Sequence, residues 1–137
     1  MTSQLTPQEA LIYVMVTVAA ADRQITEVEL RRIGSMVNEL PAFREIDGDW
    51  LMREAQDCGR ALAKPDGVRR VLALIGEALP DQLRETAYAL AAEVAASDLT
   101  VKDEEMDLLE MLADELALDE LVCAALERGA RARHRTV

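Results

Sequence analysis

The chain has 137 residues, half of them hydrophobic, with aromatics at only 3%. That length fits one domain whose core is built from aliphatic side chains without covalent staples. Its formal charge of −11 excludes unspecific binding to nucleic acid or to an anionic membrane surface, because phosphate would be repelled.

Thr6-Pro7-Gln8-Glu9 is a capping box with Pro at the first helical position. A helix is predicted from there to about Ala21. Its middle, ALIYVMVTVAAA, is apolar on every side, which suits the inside of a bundle rather than its surface. Asp22-Arg23-Gln24-Ile25 breaks this helix, and Thr26-Glu27-Val28-Glu29 is a second capping box. The helix it opens runs to Glu39, with Leu30, Ile33, Val37 and Leu40 as one stripe, and Pro41 stops it.

A loop through Phe43 and Asp47-Gly48 leads to a third helix over about 49–63, and Pro65-Asp66-Gly67 marks a turn. The fourth helix covers about 68–79 with Val71, Leu72 and Ile75 inward. Pro80 ends it, and Asp81 is placed to cap a fifth helix over about 82–97. The middle of that helix, AYALAAEVAA, is again apolar. A loop over 98–102 precedes a sixth helix to about Leu116, and Asp119 caps a seventh over about 120–132. The expectation is an all-α fold: a single compact bundle of about seven helices. One domain spans 1–137, with its core over about 6–130 and a basic tail over 128–137.

Cys58 and Cys123 are far apart, with no CxxC and no neighbouring His, so buried free thiols are expected rather than a disulfide or a zinc site. The N-terminus carries no basic region and no cleavage pattern, and the longest apolar run is too short for a bilayer. A soluble cytoplasmic protein is expected. The tail residues Arg128, Arg131, Arg133, His134 and Arg135 read as a solvated helix end that complements the helix dipole, with docking as the alternative.

One phrase is written twice. Residues 18–29 read VAAADRQITEVE and residues 94–105 read VAASDLTVKDEE. Aligned without gaps, 18–40 and 94–116 share seven of 23 positions, among them Asp22/Asp98 and Glu29/Glu105. In each unit an all-apolar helix ends at an Asp, a short loop holds one aliphatic residue, and an acidic amphipathic helix begins. Two such hairpins packed about a local pseudo-twofold axis would bring the loops to equivalent places. Asp22, Glu29, Asp98 and Glu105 could then converge. Carboxylates ~5 Å apart repel by roughly 3 kcal/mol per pair at an effective dielectric near 20, so they would need raised pKa values or a cation. Oxygen ligands of this kind suit Ca²⁺ or Mg²⁺ in preference to Zn²⁺. Glu27 and Glu29 point about 200° apart on a helix, so Glu27, Asp103 and Glu104 are second choices.

Capping competes with this reading. Glu29 is the third residue of a capping box, which explains a Glu there without any metal. The second unit has Lys102 where the first has Thr26, a poor cap, yet Glu105 remains. An EF-hand fits poorly, because its first ligand positions would be Val18 and Ala20, or Val94 and Ala96.

The phrases AAADRQITEVELRRI and AASDLTVKDEEMDLL resemble the tellurite-resistance TerB family over roughly residues 6–130. The family's usual Gly after the Asp is Arg23 or Leu99 here. The resemblance implies a compact all-α fold of about seven helices and a divalent-cation site mapping onto Asp22, Glu29, Asp98 and Glu105. It also implies links to stress response, metal sensing and membrane-associated complexes, and no enzymatic activity. The functional expectation is a non-enzymatic cation-binding or metal-sensing module with protein partners. The alternative is an adaptor whose acidic face binds a basic partner without metal, and an exposed apolar patch on helix three or four, near Phe43 and Trp50, would support it. Neither nucleic-acid binding nor direct membrane insertion is expected. The sole histidine, His134, reads as a solvated end residue, and no phosphate loop or nucleophile elbow suggests catalysis.

Overall fold

Thr6 caps the first helix as its sequence requires. Its hydroxyl accepts from the Glu9 amide at 3.1 Å, and the Glu9 carboxylate accepts from the Thr6 amide at 2.8 Å. Helix α1 (Pro7–Ala19) then buries every residue from Ala10 to Ala19. A helix with no polar face has to be surrounded, and α1 is the axis on which the other helices are laid. The computed structural model describes residues 4–21, 26–43, 47–97 and 103–137.

The second helix, α2 (Glu27–Asn38), starts at its own capping box and buries Ile33 and Val37, with Leu30 and Leu40 half-buried against the core. A short 3-10 turn, Pro41–Phe43, folds Phe43 into the core at 4% exposure. Asp47 caps α3 (Gly48–Ala63), accepting from the Trp50 amide at 2.7 Å. Next come α4 (Gly67–Ala78), α5 (Asp81–Ser97), α6 (Asp103–Glu115) and α7 (Glu120–Arg133). Among the described residues there are no strands. The predicted bounds hold to within two residues, with one small correction. Asp81 is the first residue of α5 rather than its cap, because the Leu83 amide already bonds the Pro80 carbonyl at 2.9 Å.

Helix α1 packs on α3, α4 and α5, and α7 lies along α5. The α5–α7 contact includes a patch of Ala92, Ala96 and Ala130, where small side chains let the helices approach closely. Arg84 ties the corner of α4, α5 and α6, donating to the Leu116 carbonyl at 2.9 Å and to the Gly76 carbonyl at 3.2 Å. These carbonyls sit at helix ends, where no intrahelical amide reaches them.

Arg128, Arg131, Arg133 and Arg135 are exposed, as a solvated end requires, and His134 departs from that expectation. Arg133 pairs with Glu93 on α5, and His134 Nε2 lies 2.6 Å from the other Glu93 oxygen. Glu93 is held below the usual carboxylate range: desolvation works against this, and the hydrogen bonds from Arg133 and His134 outweigh it. His134 is therefore half-buried in a clasp that pins the end of α7 to α5.

Helix α6 ends with Ala117 at φ 54°, and the Leu118 amide reaches back to the Ala113 carbonyl at 3.1 Å. This is a Schellman ending, with a side chain where glycine is favoured. Ala117→Gly is expected to raise stability by about 0.5 kcal/mol, left-handed strain relieved outweighing the entropy glycine adds to the unfolded chain. Thermal melts of the two proteins check the sign.

Candidate functional site

The ends of α1 and α5 approach the starts of α2 and α6, and a cavity of about 290 Å³ opens between them. Ala19 closes one side from α1. Val94 and Ser97 close another from the end of α5. Glu29, Arg32 and Met36 reach it from successive turns of α2, and Glu105 enters from the first turn of α6.

The capping box fixes Glu29. Its Oε1 accepts from the Thr26 amide at 2.9 Å, and its own amide donates to the Thr26 hydroxyl at 3.1 Å. Ser97 is turned back on its helix, donating to the Val94 carbonyl at 2.7 Å. Glu105 is buried to 8% exposure, among the few charged side chains so enclosed. No His or Cys lines the cavity, and apart from the Met36 thioether its candidate metal donors are oxygens. Arg32 also lines the cavity, and sequence reasoning missed it. It lies three residues after Glu29, and neighbours at that spacing share a helix face.

Of the four first-choice residues, Glu29 and Glu105 line this one cavity. Asp22 and Asp98 lie outside the described residues, as do Arg23 and Leu99. Among the described residues, no three His, Cys, Asp or Glu side chains are grouped closely enough to hold a metal. The second choices point elsewhere. Glu27 is exposed, pairs with Arg31 at 3.9 Å and lines a different cavity, between α2 and α3. Asp103 and Glu104 are exposed.

A family profile described as tellurite resistance protein TerB matches residues 8–128. The chain belongs to the TerB family. No curated protein and no solved structure matches it. The matched span takes in all seven helices except the last turn or so of α7, and both acidic phrases fall inside it. In this TerB domain no described helix is long and apolar enough to cross a membrane.

The cysteines offer no competing reactive centre. Both are buried and free. Burial pushes the Cys58 thiol up to about 12, more than the Thr17 hydrogen bond lowers it. Cys123 is raised as well, again mainly by burial. A thiol raised in this way carries almost no thiolate at neutral pH.

Proposed function

We propose that this TerB domain is a non-enzymatic module that binds a divalent cation on Asp22, Glu29, Asp98 and Glu105, taking Ca²⁺ or Mg²⁺ before Zn²⁺. The observation that supports it is the shared cavity. Glu29 and Glu105 stand 76 residues apart in sequence, yet both line one cavity at the paired helix ends. Two carboxylates facing one space repel, and a hard cation offsets that repulsion with oxygen ligands alone. The carboxylate and hydroxyl oxygens of the lining suit such an ion, and the lack of His or Cys among the lining residues disfavours zinc. Metal sensing within a cytoplasmic stress response follows as the biological setting of this reading.

Binding to the folded state alone stabilises it, by about 2.7 kcal/mol when the ion is at 100 times its dissociation constant. Melting temperature is therefore expected to rise by roughly 5 °C or more in saturating Ca²⁺ or Mg²⁺. The rise should vanish in Asp22→Asn/Asp98→Asn and shrink in Glu105→Gln. Scans with and without Ca²⁺, Mg²⁺, Mn²⁺ and Zn²⁺ that superimpose would sink the proposal.

A second reading has its own support in α6. Asp103, Glu104, Asp107, Glu110, Asp114 and Glu115 are all exposed there, with no basic residue between 103 and 115. Such a helix suits a basic protein partner, steered by charge. Capture of that partner would be weakened by salt and indifferent to chelator. Capture lost on chelation would instead favour the cation.

A further inference from the structure

Two cavities flank Met52 on the face shared by α2 and α3, one of about 500 Å³ and one of about 580 Å³. Both are lined by Leu30 and Met52, so they form one groove with Met52 as a ridge across it. Along α3 the groove follows positions 48, 52, 55, 59 and 63, a helical stripe running the full length of a sixteen-residue helix, about 24 Å. Met52 is 44% exposed at its middle. A Cβ added at Gly59 or at Gly48 would meet nothing within 4 Å, so neither position is filled from within the chain.

The charges beside this stripe identify what it can meet. Two copies of a chain at −11 repel over most of their surfaces. Helix α3 is an exception, carrying the exposed charges Asp49, Arg53, Asp57 and Arg60, alternating in sign. Turned about a two-fold axis midway between 49 and 60, the helix presents Asp49 to Arg60 of the second copy, and Arg60 to its Asp49. The same axis lays Arg53 near the second copy's Asp57. In this register Met52 stands level with residues 56–59 of the other copy, where Gly59 leaves open space. An isologous contact requires this kind of self-complementarity: a knob, a hole and charges that invert along the helix.

We propose that the α2–α3 groove docks a second copy of this chain, with the two α3 helices antiparallel and each Met52 seated in the other's groove. The Arg60–Asp57 pair within one copy is solvent-exposed and contributes little, so its arginine is available to re-pair.

Sedimentation equilibrium on the whole chain between about 1 and 200 μM tests this, because a dimer's population depends on protomer concentration. The mass is expected to rise toward twice the monomer value. Met52→Glu should abolish the rise, and Asp49→Arg should weaken dimerisation by about tenfold through like-charge contact. The double variant Asp49→Arg/Arg60→Asp should recover it. That recovery is specific to the register, because both changes oppose the dipole of α3 and make the double variant's own helix the least favourable of the set. Melts of each variant confirm that the monomer is folded. A monomeric mass at every concentration overturns the proposal. So does a dimer untouched by Met52→Glu, or a double variant no better than the single one.

Discussion

Gly67→Ala is expected to lower stability by about 3 kcal/mol, a fall in melting temperature of roughly 10 °C. Gly67 opens α4 directly after a turn in which its amide bonds the Lys64 carbonyl at 2.9 Å. Pro65 fixes one central residue of that turn, and Asp66 takes the other at φ 60°. The turn is so tight that α4 starts against the end of α3. A Cβ on residue 67 would sit 2.4 Å from the Leu62 carbonyl oxygen and 2.5 Å from that of Ala61. Both are backbone atoms, so no side-chain rotation can relieve the clash. Gly129→Ala is the control. Its Cβ would meet only Arg133 Nη1, at 3.7 Å, and Gly inside a helix costs about 0.5–1 kcal/mol relative to Ala. The same substitution should therefore stabilise at 129 and destabilise at 67. Two shifts of the same sign would show that helix propensity, not the α3–α4 approach, governs position 67.

Helices in this chain were legible because their ends are written in side chains. Thr6 and Thr26 form the boxes that the sequence implies, and Pro41 and Pro80 fall just past the helices they stop. Burial of α1 on all sides followed from its composition alone. What the sequence hid depends on contacts across long separations. His134 looks like a solvated tail residue until α7 is laid along α5, which brings it to Glu93, 41 positions earlier. An exposed apolar patch on helix three or four near Phe43 and Trp50 would fit the sequence, but Phe43 itself is folded into the core by the 3-10 turn at Pro41 and Trp50 is half-buried. The exposed apolar surface of α3 is instead the Met52 side.

The candidate site divides in the same way. Periodicity separates Glu27 from Glu29, and the two do line different cavities. Depth was not legible, because Glu29 and Glu105 occupy matching places in the two phrases while Glu105 is buried and Glu29 only half so. Arg32 was readable in principle, one turn beyond Glu29, but an arginine on an amphipathic helix carries no mark of the cavity it faces. Glu54 was readable too. It lies on the inward stripe of α3, three residues after Leu51 and four before Cys58, and it is 9% exposed.

That buried acid gives the chain an unusual response to pH. Burial raises the Glu54 pKa above its ordinary value, and the charges of Glu9 and Asp57 and a hydrogen bond to Glu9 raise it further. Glu9 is itself held by the Thr6 amide, which donates to its carboxylate. Because the folded state holds this proton more tightly than the unfolded state, protonation favours folding. The contribution is fully present below the unfolded carboxylate range, near pH 4, and is lost as pH rises through the higher folded value. Glu54→Gln keeps the shape and the hydrogen-bonding capacity and never ionises. The variant is therefore expected to exceed the wild type by about 1–2 kcal/mol at pH 7, since it removes a buried charge facing a second carboxylate. The two stabilities should converge toward pH 4. Other acids titrate over the same range, but they are common to both proteins and cancel in the difference. Urea unfolding at a series of pH values measures that difference directly. A gap that stays constant from pH 4 to 7 would mean that Glu54 titrates alike in the folded and unfolded states, its burial offset by a partner other than Glu9.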